Sequence, residues 1–218
     1  LLLALMASAA LSVSAQDEYI VTYFEKTEIK ESEGQLKNGH PDGRWKYYNR
    51  KGVLTKEIDY YAGAVNGRMA YYYENGKLKS EGYVYNSKAQ GEYHEYNSDG
   101  TPKVSGRYLD SKKDSVWNYY NINGKLVFVE KCDPSGCLAV SAFTNTGKPL
   151  FDNGNGTYIT YYADEKTVKE QGNYKDGLKD GLWKTFFNNG NVATQKTYVK
   201  GNPTGTSYTF YEDGKKRS

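Results

Sequence analysis

Residues 174–190 read YKDGLKDGLWKTFFNNG, and the chain says nearly the same thing elsewhere. Residues 38–52 read NGHPDGRWKYYNRKG, and residues 200–214 read KGNPTGTSYTFYEDG. Aligned on the glycine ahead of the aromatic residues, the copies fall at Gly43, Gly67 and Gly91, each 24 residues apart. A further step of 24 reaches Ser115 in the same context, and the series resumes at Gly156, Gly181 and Gly205. A fixed period of this length points to a repeat architecture before any other fold.

Each of the seven units carries an aromatic residue five positions after its anchor: Tyr48, Tyr72, Tyr96, Tyr120, Tyr161, Phe186 and Phe210. Two positions after the anchor stand Trp45, Met69, Tyr93, Trp117, Tyr158, Trp183 and Ser207. A second glycine recurs nine after it, missing only from the fifth unit. Alternating aromatic stretches such as RWKYYN, followed by Asn-Gly turns, read as β-hairpins, because Asn and Gly tolerate the positive φ that hairpin turns need. Two glycines per unit would break a helix. The reading is therefore all-β: tandem 24-residue β-hairpin repeats forming an elongated, twisted, single-layer antiparallel meander. Along a strand the +2 and +5 residues point to opposite faces. The +5 series is expected to form a structural aromatic ladder, and Trp45, Tyr93, Trp117, Tyr158 and Trp183 a binding face.

Composition agrees. Among 218 residues there are 23 Tyr but only 7 Phe and 2 Met, so a large conventional core is not expected. Tyr, with an apolar ring and a hydroxyl tip, suits half-exposed surfaces. The formal net charge is +3, with both signs interspersed, which argues against a nucleic-acid partner.

The unit G-x-W-x-x-Y-Y-x-x-x-G-x-L, followed by a Tyr and a new turn, resembles the MORN repeat in its bacterial variant, a group that often carries an antitoxin-like label. The resemblance covers about residues 34–131 and 153–218. It implies hairpins stacked into an extended sheet used for protein association and, in eukaryotic members, membrane contact. It implies no general catalytic motif.

Around the repeats, residues 1–15 (LLLALMASAALSVSA) read as a secretory signal truncated at its start, with small residues ahead of Gln16 for cleavage. That stretch is shorter than the ~20 apolar residues of a membrane span. Residues 16–33 read as N-terminal cap strands, 34–131 as repeats 1–4, and 156–218 as repeats 5–7. Between anchors 115 and 156 the spacing is 41, so residues 132–155 contain an insertion. It is either a hairpin interrupting the array or a loop carrying a specific contact, since loops on rigid scaffolds often do.

Chemistry-bearing residues are few. Cys132 and Cys137 flank a good turn (DPSG), and in an exported protein a disulfide is expected there rather than a redox or metal site. His40 and His94 belong to different units and have no catalytic signature around them. Glu57, Glu81 and Glu170 share the +14 position. Equivalent positions lie two strands, about 9–10 Å, apart, which the repeat produces without catalysis, and ion pairing is the expected role. No catalytic residue, metal or cofactor is expected. The functional expectation is an exported bacterial protein, periplasmic or secreted. It would be a non-enzymatic scaffold binding another envelope or secreted protein through its Tyr/Trp face. The alternatives are a carbohydrate or cell-wall module using the same rings, and an antitoxin-like inhibitor. Nothing in the sequence supports membrane-surface contact beyond the resemblance.

Overall fold

The computed structural model describes residues 17–164 and 166–217; the expected leader lies outside them. The first strands are β1 (Glu18–Tyr23), β2 (Lys30–Lys37), β3 (His40–Tyr48), β4 (Leu54–Tyr61), β5 (Ala64–Tyr72) and β6 (Leu78–Tyr85). There follow β7 (Lys88–Tyr96), β8 (Pro102–Leu109), β9 (Lys112–Tyr120), β10 (Leu126–Asp133), β11 (Gly136–Phe143) and β12 (Pro149–Asp152). The last are β13 (Asn155–Tyr161), β14 (Val168–Lys175), β15 (Leu178–Phe186), β16 (Val192–Val199) and β17 (Asn202–Thr209). Each pairs antiparallel with the next, giving one open meander. The hairpin-repeat fold read from the sequence is the fold observed.

The two sheet margins use different turns. On one, two-residue turns such as Asn38-Gly39 (φ 51° and 78°) and Asp176-Gly177 (φ 51° and 76°) have both residues left-handed. That geometry matches the twist of the flanking strands. On the other, four-residue turns close through Asn49 N–H to Val53 O (2.9 Å) and Gly52 N–H to Asn49 O (2.9 Å). The Asn49 side chain supports this turn by accepting from the Lys51 and Val53 amides.

The anchors are bulges. Glu33 pairs with Lys46 and Gln35 with Asp42, so residues 43–45 face the single residue Gly34. The same count recurs at every anchor whose strand pairs with a full-length predecessor. Gly43 (φ 67°) and Gly181 (φ 70°) supply the left-handed backbone this needs, and Ser115 (φ 60°) adopts it without being glycine.

Residues 17–33 hold β1 and the start of β2. β2 runs through the expected boundary to Lys37 and, with β1, forms a hairpin of the same kind as those that follow. The insertion is a hairpin too, and it does not interrupt the sheet: β11 pairs with β10, and β12 with β13. It is a contracted unit, because β12 has only four residues. Its small and apolar residues make a core that the composition did not predict. Ala139, Ala142 and Phe151 are buried, packed by Phe128, Leu150, Tyr158 and Tyr174. In a flat sheet β10 and β14 would lie about 19 Å apart, four spacings of ~4.8 Å. The ring centroids of Phe128 and Tyr174 are 6.1 Å apart. The single layer therefore curls around Phe151. Backbone bonds strap the curl: Ala139 N–H to Gly177 O (2.9 Å), Gly177 N–H to Gly154 O (2.9 Å) and Gly154 N–H to Val140 O (2.8 Å).

Candidate functional site

Where the preceding strand is full-length, the bulge brings the +2 side chain over the residue nine before its own anchor. In three units that residue is glycine and the side chain is tryptophan. A Cβ on Gly34, Gly106 or Gly172 would lie 2.2–2.3 Å from Cδ2 of Trp45, Trp117 or Trp183, so the indoles lie directly on bare backbone. Each indole N–H donates to the carbonyl one residue further on: Gln35 O (3.0 Å), Arg107 O (3.1 Å) and Asn173 O (3.1 Å). Their exposures are 7%, 1% and 3%. Of the expected binding face, Trp45, Trp117 and Trp183 are therefore buried. The tryptophans share one side of the sheet, but their own backbone takes up their rings, and no indole is left to meet a partner. The signal was in the sequence as a glycine eleven residues before each tryptophan.

A second series on this indole face stands seven residues before the next anchor: Tyr60, Tyr108, Tyr174 and Tyr198. All meet the +2 rings edge-on, the geometry that the aromatic quadrupole favours. Tyr108 lies 5.5 Å from Tyr93 and 4.9 Å from Trp117, with interplanar angles of 75° and 74°. Tyr174 bridges Tyr158 (5.7 Å, 88°) and Trp183 (5.1 Å, 84°) in the same way. Burial pushes the Tyr158 phenol up to about 12 and raises Tyr174 as well. Lys113 and Lys179 cap the rows, their ammonium groups 4.6 Å from the Trp117 ring and 3.7 Å from the Trp183 ring. Glu130 and Glu170 hold them in place at 2.8 and 2.9 Å.

The row lacks its tyrosine in two units: in the fourth the position is held by the disulfide-bonded Cys132, and in the second it leaves a groove. The residue equivalent to Tyr60 and Tyr108 in the second unit is Val84, and its cross-strand partner is the small Ala89. The result is a groove of about 240 Å³ between Met69 and Tyr71 on one side and Tyr93 and Tyr108 on the other, with Gly82 and Val84 in its floor. Tyr71 is 39% exposed there.

The opposite face is polar. The Tyr48 hydroxyl donates to Glu33, the Tyr72 hydroxyl to Glu57 (2.8 Å), and Tyr120 shares a hydrogen bond with Ser105 (3.3 Å). The +5 rings were expected to stack as a ladder. Among the described residues none of Tyr48, Tyr72, Tyr96, Tyr120, Tyr161, Phe186 and Phe210 makes a ring contact with another. Two strand spacings are too wide for it, and the Tyr48, Tyr72 and Tyr120 hydroxyls reach back to the preceding hairpin instead. Burial, then the bond to Glu33, pushes the Tyr48 phenol up to about 12, while Lys30 and Tyr48 hold Glu33 below the usual carboxylate range. Arg68 joins Glu57 (3.2 Å) and Glu81 (3.0 Å), and Arg44 pairs with Asp59 (2.8 Å). Glu170 does not belong to this set. One extra residue in the turn before β14 shifts it by one position, which in a strand means the other face, and it pairs with Lys179 on the indole face. His94 stacks on Tyr96, and His40 is exposed in another unit.

Cys132 and Cys137 are cross-strand neighbours at the end of β10 and β11 and are disulfide-bonded. Glu130 is close enough to both for a three-ligand cluster. The sulfurs are committed to each other, however, and Glu130 accepts from Tyr119 (2.6 Å) and Lys113 (2.8 Å), so the arrangement offers no metal site.

The family model described as MORN repeat variant matches residues 65–86 and 179–200. Both matches begin two residues before an anchor and end in a left-handed turn, so each corresponds to one hairpin, β5–β6 or β15–β16. The groove lies against the first of them. No curated protein matches the chain.

Proposed function

We infer that the chain is a non-catalytic repeat scaffold that holds another protein against its indole face, and that it works outside the cytoplasm, in the periplasm or after secretion. The groove bounded by Met69, Tyr71, Tyr93 and Tyr108 is the observation that carries this reading. It is apolar, shallow and set in a sheet whose tryptophans are already buried, as in the concave, mostly preformed sites that proteins use for recognition. The match of two hairpins to a repeat variant supports a scaffold, and the disulfide suits an oxidising compartment. A secreted toxin is one class of partner the reading admits.

The test is site-specific crosslinking in envelope extract, with p-benzoylphenylalanine in place of Tyr71 at the groove or Tyr211 at the distal margin. One protein adduct from position 71 and none from 211 is the expected result. Adducts of glycan without protein, or the same band from both positions, would refute the proposal.

A further inference from the structure

We propose that the groove beside Val84 is the slot of a missing tyrosine, and that its occupant is an aromatic side chain presented by a partner protein. This rests on the scaffold reading and names the chemistry its partner must bring. The repeat itself supplies the argument, because the same slot is filled from within the chain elsewhere. Tyr108 sits edge-on between the +2 residues of its own unit and the next, Tyr93 and Trp117. Tyr174 does the same between Tyr158 and Trp183. Tyr60 meets Trp45 at 77°, and Tyr198 meets Trp183 at 75°. In the second unit the flanking residues, Met69 and Tyr93, are in place and the bridging ring is absent.

What remains fits a ring. Met69 offers a thioether, which contacts aromatic edges favourably, and Tyr93 is the wall that a T-shaped pair requires. The floor is kept low by Gly82, Val84 and Ala89. At Gly82 a Cβ would meet Tyr93 Cδ2 at 3.2 Å, against the 2.2–2.3 Å of the glycines under tryptophan, so Tyr93 covers this floor less closely than an indole would. The slot is also continuous with the packed row, since Tyr108 is both its wall and the first member of the filled row beyond it. An aliphatic side chain would fill the volume without making either edge contact.

The probe is N-acetyl-4-fluorophenylalaninamide, followed by its fluorine line width on titration with the full chain. The native protein is expected to broaden the line, and Val84→Tyr to cut that broadening at least fivefold. Val116→Tyr makes the same change at an exposed position on the opposite face and keeps the broadening. Val84→Tyr uses a residue that four other units carry at this position, so it is expected to raise the melting temperature; a fall would mean that a ring does not fit, and would overturn the proposal. Equal broadening by the native and Val84→Tyr proteins, or none by the native protein, would overturn it too. Crosslinking from position 71 is then repeated in the Val84→Tyr background. Loss of the protein adduct supports the assignment of the occupant. An equal adduct in both backgrounds sinks the ring slot and leaves the scaffold reading standing. Probe binding without any protein adduct sinks the scaffold reading, and with it the partner named here.

Discussion

Ser115 and Gly106 show how much the fold asks of single positions. Ser115 adopts φ 60° where the other units have glycine, and its hydroxyl donates to the neighbouring Asp114 carboxylate at 2.9 Å. Left-handed backbone costs a residue with a Cβ roughly 1–2 kcal/mol. Ser115→Gly is expected to stabilise the chain by about 1 kcal/mol in urea unfolding. Gly106→Ala should act in the opposite direction, because its Cβ would stand 2.2 Å from Trp117. Neither strand can retreat without breaking its ladder, and a loss of about 1–3 kcal/mol is expected. A red shift of tryptophan emission would report the displaced indole in the same sample. At this scale the sequence showed which residues recur and on which face, but not that the tryptophans are consumed by packing. Glycines 34, 106 and 172 look like ordinary strand interruptions until the bulge places an indole over each of them.

At the scale of the element, the contracted unit is the informative case. The turn between Cys132 and Cys137 was legible because Asp, Pro, Ser and Gly are turn residues. The strands on either side of the next turn were not, since a 41-residue spacing breaks the period and Ala139 and Ala142 carry no aromatic signature. The shift of Glu170 has the same origin: a residue added in a turn does not alter a +14 count from the preceding anchor, but it reverses the face. The disulfide closes a very short loop, so chain entropy puts its contribution at about 2 kcal/mol. Replacing both cysteines with serine is expected to lower stability by that amount in denaturant unfolding. The Tyr71 adduct should persist, because β10 and β11 remain paired by their ladder.

For the molecule as a whole, a sheet stabilised by tyrosine has its weakness at high pH. Burial raises the phenols of Tyr48, Tyr93, Tyr119, Tyr158 and Tyr174 above their ordinary value. A folded pKa above the unfolded one, about 10, means a contribution that is complete below pH ~10 and disappears as the pH climbs through the folded value. Phenolate absorbance should therefore lag behind that of free tyrosine and then rise together with loss of sheet circular dichroism near pH 12. Independent titration with the sheet intact would refute this. The acid side is milder. Lys30 holds Glu33 down and Arg44 holds Asp59 down, so their contributions are present above the ordinary carboxylate range and fade as the pH falls through the lowered values. The meander was readable from the period alone. The curl was not, because it depends on one strand being shorter than its neighbours.

That short strand also constrains how such a chain can change in length. Unequal recombination between units on the same side of β12 inserts or deletes whole units of 24 or 25 residues and returns every strand to its own register. A crossover that spans β12 removes Phe151 and its alanines along with the repeats and leaves a sheet with no corner. Copy number is therefore free to drift on either side of β12, while the contracted unit between them must be inherited intact.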